Sequence, residues 1–386
     1  MEKTTIPPTF ENRVKAVADI AAKHAADVDS ESRFPYEAID EAREQGLLGA
    51  PFSEEEGGLG ASHAQLCEVG QVIAAACAST AMILMMHYSQ ALCLVGHASS
   101  EALLEFRGEA ASEQLLLASA TTEEGIGGDT RRSSCHIEEK DGRARVSKRC
   151  PVISYGRYAD AILLTARRGV DSPDSDQVMM VIRQDEATLE RTRGWDSMGM
   201  RGTMSEAFVV EAVVSTSMIF DDPFATISSH TMLPASHTLW ASAWYGVASA
   251  AGQTARRSAQ RAARKVAGTT PLQAIRVAEL EVDLQRMHDS VTASIRRFDE
   301  ARENTQVLES PRFAIAMDTL KISASRSART ICSQAMEIVG ISAYSNASPM
   351  SLSRQVRDVH GFSLMIGNDR LLDTAAGLHM ISRGER

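Results

Sequence analysis

After Pro223 the prolines of this 386-residue chain fall at Pro234, Pro271, Pro311 and Pro349, which are 37, 40 and 38 residues apart. Proline is accepted in the first turn of a helix and breaks its interior, because it has no N–H to donate and its ring meets the preceding turn. Such even punctuation implies long helices of similar length. Between the prolines, Val277, Leu280, Leu284, Met287 and Val291 advance by 3, 4, 3 and 4, and Met317, Leu320, Ala324, Ala328, Ile331, Ala335 and Ile338 follow the same rule. These stripes are bundle seams. The stretch 224–386 therefore reads as about four long helices packed up and down, opened near Pro234, Pro271, Pro311 and Pro349.

Upstream the pattern differs twice. Gln65 to Val95 is an almost unbroken run of Ala, Leu, Met, Ile and Cys, too long for a strand and free of proline, so it predicts one or two buried helices. Glycines 46, 49, 57, 58 and 60 before it mark a loop. From about 114 the period becomes two: Leu115–Ala120, Ala161–Ala166, Val178–Ile182 and Ala207–Val214 read as strands, and Asp141-Gly142 as a hairpin turn. The expected fold is mainly α with a central antiparallel β domain: helices over 1–113, a small β domain over 114–223 and a four-helix bundle over 224–386. A length of 386 residues accommodates two or three such units.

Forty basic against fifty acidic side chains leave a net charge of −10, which disfavours nucleic acid and anionic membranes as partners. The six cysteines form no C-x-x-C pair and predict buried thiols in a reducing compartment, with no metal site. Met1 to Phe10 lacks the apolar core of a signal peptide, and no stretch reads as a membrane span. A cytoplasmic protein is expected.

The most informative segment is Thr121-Thr122-Glu123-Glu124-Gly125-Ile126-Gly127-Gly128-Asp129, a strand end with hydroxyls followed by three glycines. On its residues alone it is either a tight loop or a cradle for a flat, hydrogen-bonding ligand or a phosphate. Further on come Val152-Ile153-Ser154-Tyr155-Gly156, then Met198-Gly199-Met200-Arg201-Gly202-Thr203, and last Arg354-Gln-Val-Arg357-Asp358. In order and spacing, across nearly the whole chain, these segments resemble the acyl-CoA dehydrogenase superfamily.

That resemblance implies its fold, with FAD, or alternatively FMN, between the β domain and the bundle, in a homo-oligomer, expected as a tetramer. The family's T-E-P-G-x-G-S-D falls on Thr122 to Asp129, without the proline and the serine. It implies that Ser119, Thr121 and Thr122 line the flavin pyrimidine and that Gly127 and Gly128 lie near the pyrophosphate. The family's K-x-W-I-T-N-G falls on Cys150, Val152, Ile153 and Ser154; serine keeps a hydroxyl for flavin N5, whereas valine offers only aliphatic cover. Its Q-I-x-G-G-x-G-Y loop, which reaches the FAD of a neighbouring subunit, falls on Glu337 to Tyr344, with Gly340 among its glycines. The R-x-x-F-G element is absent. Arg257, Arg261 and Arg264 share one helix face, either as a solvated basic face or as phosphate contacts.

The departures are sharpest where chemistry is needed. In most of the family a glutamate eight residues after R-D takes the α-proton of the thioester; that position is Ile366, followed by Gly367 and Asn368, the latter standing at a cofactor-contacting position. The alternative glutamate position is Ser236, with His237 beside it. Asp369 could substitute as the base or be a helix cap, and His237 could act as acid or base or be a core histidine. The resemblance implies a flavin-dependent oxidoreductase acting on a CoA- or carrier-protein-linked acyl thioester, by α,β-dehydrogenation with electrons passed to an electron-transfer flavoprotein. The missing glutamates keep two alternatives open: a flavin monooxygenase supplied with reduced flavin by a reductase, and a non-catalytic thioester-binding protein.

Overall fold

The structure is a computed structural model that describes residues 8–127, 129–265 and 272–381; Gly128 and Pro271 lie outside the described residues. Helices come first: α1 (Phe10–Ser30), α2 (Tyr36–Glu44), α3 (His63–Ala76), α4 (Ala78–His97) and α5 (Glu101–Ser112). Val14, Val17, Ala21, Ala25 and Val28 make the buried stripe of α1, and the Thr9 hydroxyl caps its start by accepting from Asn12 N–H. The apolar run from Gln65 divides at Cys77 into α3 and α4. Helix α4 is long and apolar enough to cross a membrane, but 89% of that stretch is buried inside the protein. Its all-round hydrophobicity is that of a core helix, packed on α3, α7 and β1.

Strands follow: β1 (Leu117–Ala120), β2 (Glu138–Lys140), β3 (Arg143–Ile153), β4 (Ala161–Arg167), β5 (Gln177–Arg183), β6 (Ala187–Arg193) and β7 (Glu206–Ser215). They form two sheets, β1-β4-β5 and β2-β3-β7-β6. All pairs are antiparallel except β1 with β4, so the expected antiparallel domain contains one parallel pair. Asp141 (φ 51°) and Gly142 (φ 72°) both take the left-handed conformation that a two-residue hairpin turn requires. Strand β6 carries no apolar alternation and is exposed along most of its length, which is why its sequence did not announce it.

The remaining helices are α6 (Phe224–Ile227), α7 (Leu233–Ala263), α8 (Leu272–Ala301), α9 (Thr305–Leu308), α10 (Pro311–Val339), α11 (Ile341–Tyr344), α12 (Ser353–Phe362) and α13 (Asn368–Ile381). The three long ones have 31, 30 and 29 residues, in keeping with the proline spacing. Pro234 sits in the first turn of α7 and Pro311 opens α10, whereas Pro349 precedes α12 without belonging to it. The fourth bundle position is not one helix: α12 and α13 are separated by a break in which Ile366 has φ 50°. Where α7 crosses α3, only glycine fits, because a Cβ on Gly246 would lie 2.2 Å from the Gln71 carbonyl oxygen.

Candidate active site

The end of β1 is fixed by a lysine on the buried face of a strand. In β3 alternate residues face inward, and Lys148 takes its turn between Val146 and Cys150. Its Nζ donates to Ala120 O at 2.9 Å, Thr165 O at 2.7 Å and Thr165 Oγ1 at 3.2 Å. Burial pushes its pKa down, and three acceptors are what make a buried amine tolerable. Just beyond, the buried Glu123 accepts from Ser133 Oγ (2.6 Å), Ser134 N (3.1 Å) and Cys135 N (2.9 Å). Burial raises its pKa, but the hydrogen bonds from Ser133 and Ser134 and the Lys148 charge outweigh that and hold the carboxyl below its usual range. Thr121 and Thr122 thus leave a braced strand end, half-buried.

Pro151 shapes the other side. Cys150 pairs with Phe208 and Ile153 with Glu206, so Pro151 and Val152 together oppose Ala207. A proline without an N–H cannot continue the ladder, and the resulting bulge turns Val152 outward, 36% exposed. Thr122 Oγ1 donates to Val152 O at 3.0 Å. Ser154 Oγ lies 2.8 Å from Ser205 Oγ, itself 2.8 Å from Thr203 Oγ1. Thr122, Val152 and Ser154 are therefore brought together, Ser119 is half-buried in β1, and Ile153 points into the core.

The bundle closes over this lip at two points. Buried Asp358 accepts from Met200 N–H at 2.6 Å, and Arg357 Nη1 reaches Met198 O at 2.9 Å and Asp29 Oδ1 at 3.0 Å. A Cβ on Gly199 would meet the Arg357 backbone at 2.5 Å. On the far side of the break Arg370 donates to the Gly127 carbonyl and pairs with Asp129. The R-x-x-R-D segment thus fastens the bundle to the β6–β7 connection and to α1. Ile366, 36% exposed, sits in the break between the two fastenings.

Behind Ile366 stand three polar residues of α10, Asp318, Lys321 and Ser325, that the sequence reading does not single out. Lys321 Nζ donates to Ile366 O at 2.6 Å and to Asn368 Oδ1 at 2.9 Å, while Asn368 Nδ2 donates to Ser325 Oγ at 3.1 Å. The Asn368 amide is therefore engaged with α10. Burial pushes Lys321 down to about 8 and Asp318 up to about 6. His237 on α7 is fully buried, donates Nδ1–H to Met317 O at 3.1 Å, and lies 3.8 Å from Asp318 Oδ1. Burial and the Lys321 charge bring its pKa down to about 3, so its ring is neutral. Asp369 is exposed in the first turn of α13, away from this buried group. A second stripe on α10, Asp318, Lys321 and Ser325, was the available signal: it runs beside the apolar Met317, Leu320 and Ala324.

The other expected contacts lie apart. Arg264 is exposed at the end of α7, and Glu337 and Gly340 are exposed at the far end of α10, about 24 Å along the helix from Lys321. Over the glycine loop there is room: a Cβ on Gly125 would meet nothing within 4 Å, and a cavity of about 660 Å³ lies between this loop and α13, lined by Arg131, Arg132, Arg167 and Arg370 among others. Hydroxyls at Thr122 and Ser154, an outward valine and an open glycine loop suit a flat heteroaromatic ring. The four arginines leave the cavity one net positive charge for a phosphate, since Asp129, Asp174 and Asp373 line it too, and Asp129 and Asp174 pair with Arg131, Arg132 and Arg370.

Residues 9–106 match the acyl-CoA dehydrogenase N-terminal domain and residues 228–374 the acyl-CoA dehydrogenase C-terminal domain. The chain belongs to the acyl-CoA dehydrogenase superfamily. It is 24% identical, over 91% of its length and 89% of the relative's, to the amino sugar nitrososynthase DnmZ of Streptomyces peucetius. It is 23% identical, over 94% of its length and 95% of the relative's, to a cyclohex-1-ene-1-carbonyl-CoA dehydrogenase of Geobacter metallireducens. Among solved structures it shares the fold of FMN-bound TdsC from Paenibacillus sp. A11-2, with a TM-score of 0.82, 20% identity, and 97% and 98% of the two chains covered.

Proposed function

We propose that this chain is a flavin-dependent monooxygenase that takes reduced flavin from a reductase and uses oxygen. The observation that carries the reading is the state of the base position: Ile366 offers only a backbone carbonyl, already bonded to Lys321, Ser236 is no acid, and Asp369 faces outward. Abstraction of an α-proton requires a positioned carboxylate, whereas oxygen transfer from reduced flavin does not. The full-length similarity to a nitrososynthase supports the same direction, as does the fold shared with a protein described as a dibenzothiophene monooxygenase.

A bound flavin supplies the electrons that reduce oxygen, one atom going to the substrate and the other to water. Thr122 and the chained hydroxyls of Ser154, Ser205 and Thr203 orient the ring, and Val152 and Ile366 cover it with apolar surface. Arg370 and Arg131, which share Asp129, would hold its phosphate. Trp240, Trp244 and Phe362, with Trp244 and Phe362 stacked at 4.9 Å, keep water from the bundle side. Asp318 and Lys321 are the groups able to take up or release a proton there. The exposed Ile341 (80%) and Tyr344 (71%) beside Glu337 and Gly340 support a homo-oligomer, which we take to be a tetramer, in which this end completes a neighbour's site.

A second reading has its own observation. Asp318 is a buried carboxylate with raised proton affinity, as an acyl thioester dehydrogenase base would be. Oxygen uptake separates the two: flavin reduced by a generic reductase should give oxygen consumption that rises with substrate addition on this protein. No substrate-stimulated uptake across amine, aromatic and thioester panels would count against the monooxygenase.

A further inference from the structure

Three hydroxyls run in a line from the lip of the site into the protein. Ser154 Oγ is 2.8 Å from Ser205 Oγ, which is 2.8 Å from Thr203 Oγ1, and Thr203 Oγ1 donates to Met200 O at 2.9 Å. A hydroxyl has one proton, and a contact of this length between two oxygens needs one proton between them. The carbonyl at the inner end has none to give. The Thr203 proton therefore lies on Met200 O, the Ser205 proton on Thr203 and the Ser154 proton on Ser205. At the lip Ser154 has only lone pairs left to offer. Thr122 is in the same state, because its proton goes to Val152 O at 3.0 Å.

The backbone holds this line in place. Tyr155, Met200 and Met204 beside the hydroxyls take φ of 44°, 53° and 46°, which residues other than glycine adopt where the surroundings impose it. Tyr155 N–H donates to Thr203 O at 2.8 Å, its phenol donates to Leu117 O at 2.9 Å, and Met200 N–H is taken by Asp358. Ser205 and Thr203 are buried, whereas Thr122 and Ser154 are half-buried at the lip. The two hydroxyls that a ligand can reach are thus fixed acceptors.

A flavin ring changes its hydrogen-bonding character with its redox state. Its N5 is a bare acceptor when oxidised and carries an N–H when reduced. Two facing acceptors leave both without the partner that water gave them, whereas an N–H answers the lone pair. We propose that Ser205 and Thr203 are positioning residues that make the lip select flavin by redox state, with Ser154 as the acceptor for the N–H that only the reduced central ring carries. This rests on the monooxygenase reading, in which flavin arrives reduced.

Anaerobic equilibrium dialysis against dithionite-reduced and oxidised FMN, and separately FAD, measures the selection. Reduced flavin should bind at least about tenfold tighter, which raises the two-electron potential of the bound flavin by about 30 mV over the free one. Ser205→Ala removes the acceptor of the Ser154 proton, and Thr203→Val turns the Ser205 proton back toward Ser154. Each should cut the ratio about fivefold, mainly by tightening oxidised flavin, while Thr203→Ser keeps it. A role in folding alone would weaken both states equally, so an unchanged ratio in both variants overturns the proposal. Equal affinity for the two states in the unaltered protein, with butyryl-CoA leaving its flavin unbleached, also overturns it and leaves the monooxygenase standing. Bleaching of the oxidised flavin by butyryl-CoA without oxygen removes the monooxygenase reading itself.

Discussion

Lys148 is the single side chain whose removal should be felt furthest. Lys148→Met keeps the length of the stem but leaves the carbonyls of Ala120 and Thr165 unpaired inside the protein. The expected loss is about 1–3 kcal/mol in urea unfolding, together with weaker flavin retention, because the strand end bearing Thr121 and Thr122 is no longer braced. Unchanged stability and unchanged flavin content would show that the amine carries neither role. Ile366 makes the opposite case. A β-branched residue at φ 50° is strained by about 1–2 kcal/mol, and glycine carries no such cost while losing about 0.5–1 kcal/mol to chain entropy. Ile366→Gly should therefore be neutral or stabilising by up to about 1.5 kcal/mol in thermal unfolding, and a clear loss of stability would contradict the strain. Ile366→Glu should not create acyl-CoA dehydrogenase activity, since on the monooxygenase reading the pocket takes no thioester substrate, and bleaching of that variant's flavin by butyryl-CoA would contradict it.

At the scale of elements, the break between α12 and α13 is tied to α10 by few bonds: Lys321 to Ile366 O and Asn368, and Asn368 to Ser325. Lys321→Met should raise amide hydrogen exchange over residues 363–381 and leave α7 and α8 unchanged; an equal rise throughout the bundle would mean global loosening instead. Elements were also where the sequence could be read best. Proline spacing and apolar stripes give α7, α8 and α10 because packing in a bundle obeys the same 3.6 period as the helix. The fourth helix is two in the structure, and nothing local in the sequence marks the break at Ile366: its cause is tertiary, a lysine from α10 and clamps on either side. The site was legible in part. Thr122, Val152 and Ser154 are brought together by neighbouring backbone segments, one of them bulged at Pro151. Asp318 and Lys321 were hidden because a charged residue in a helical stripe reads as a solvated face until burial is known.

For the whole molecule, the fully buried histidines His63, His87 and His237 set the response to acid. Burial lowers them to about 3, 4 and 3 from an unfolded value of 6.5. Between those values the unfolded chain binds protons that the folded chain refuses, so stability is lost as pH falls from about 6.5 toward 4. Asp318 and Asp358, raised to about 6 from 3.8, act the other way, gaining stability as pH falls through the same window. Three groups against two leave a net loss. The melting temperature should fall from pH 7 to pH 4.5, and a rise would mean that the carboxyls dominate.

The central claim, that the flavin pocket is not built to take electrons from a thioester, is tested most directly by adding butyryl-CoA to the flavin-loaded protein in the absence of oxygen and following the visible flavin band. The band should stay, and reduction should require a reductase. Rapid bleaching by the thioester alone would contradict the account and return the protein to the dehydrogenases.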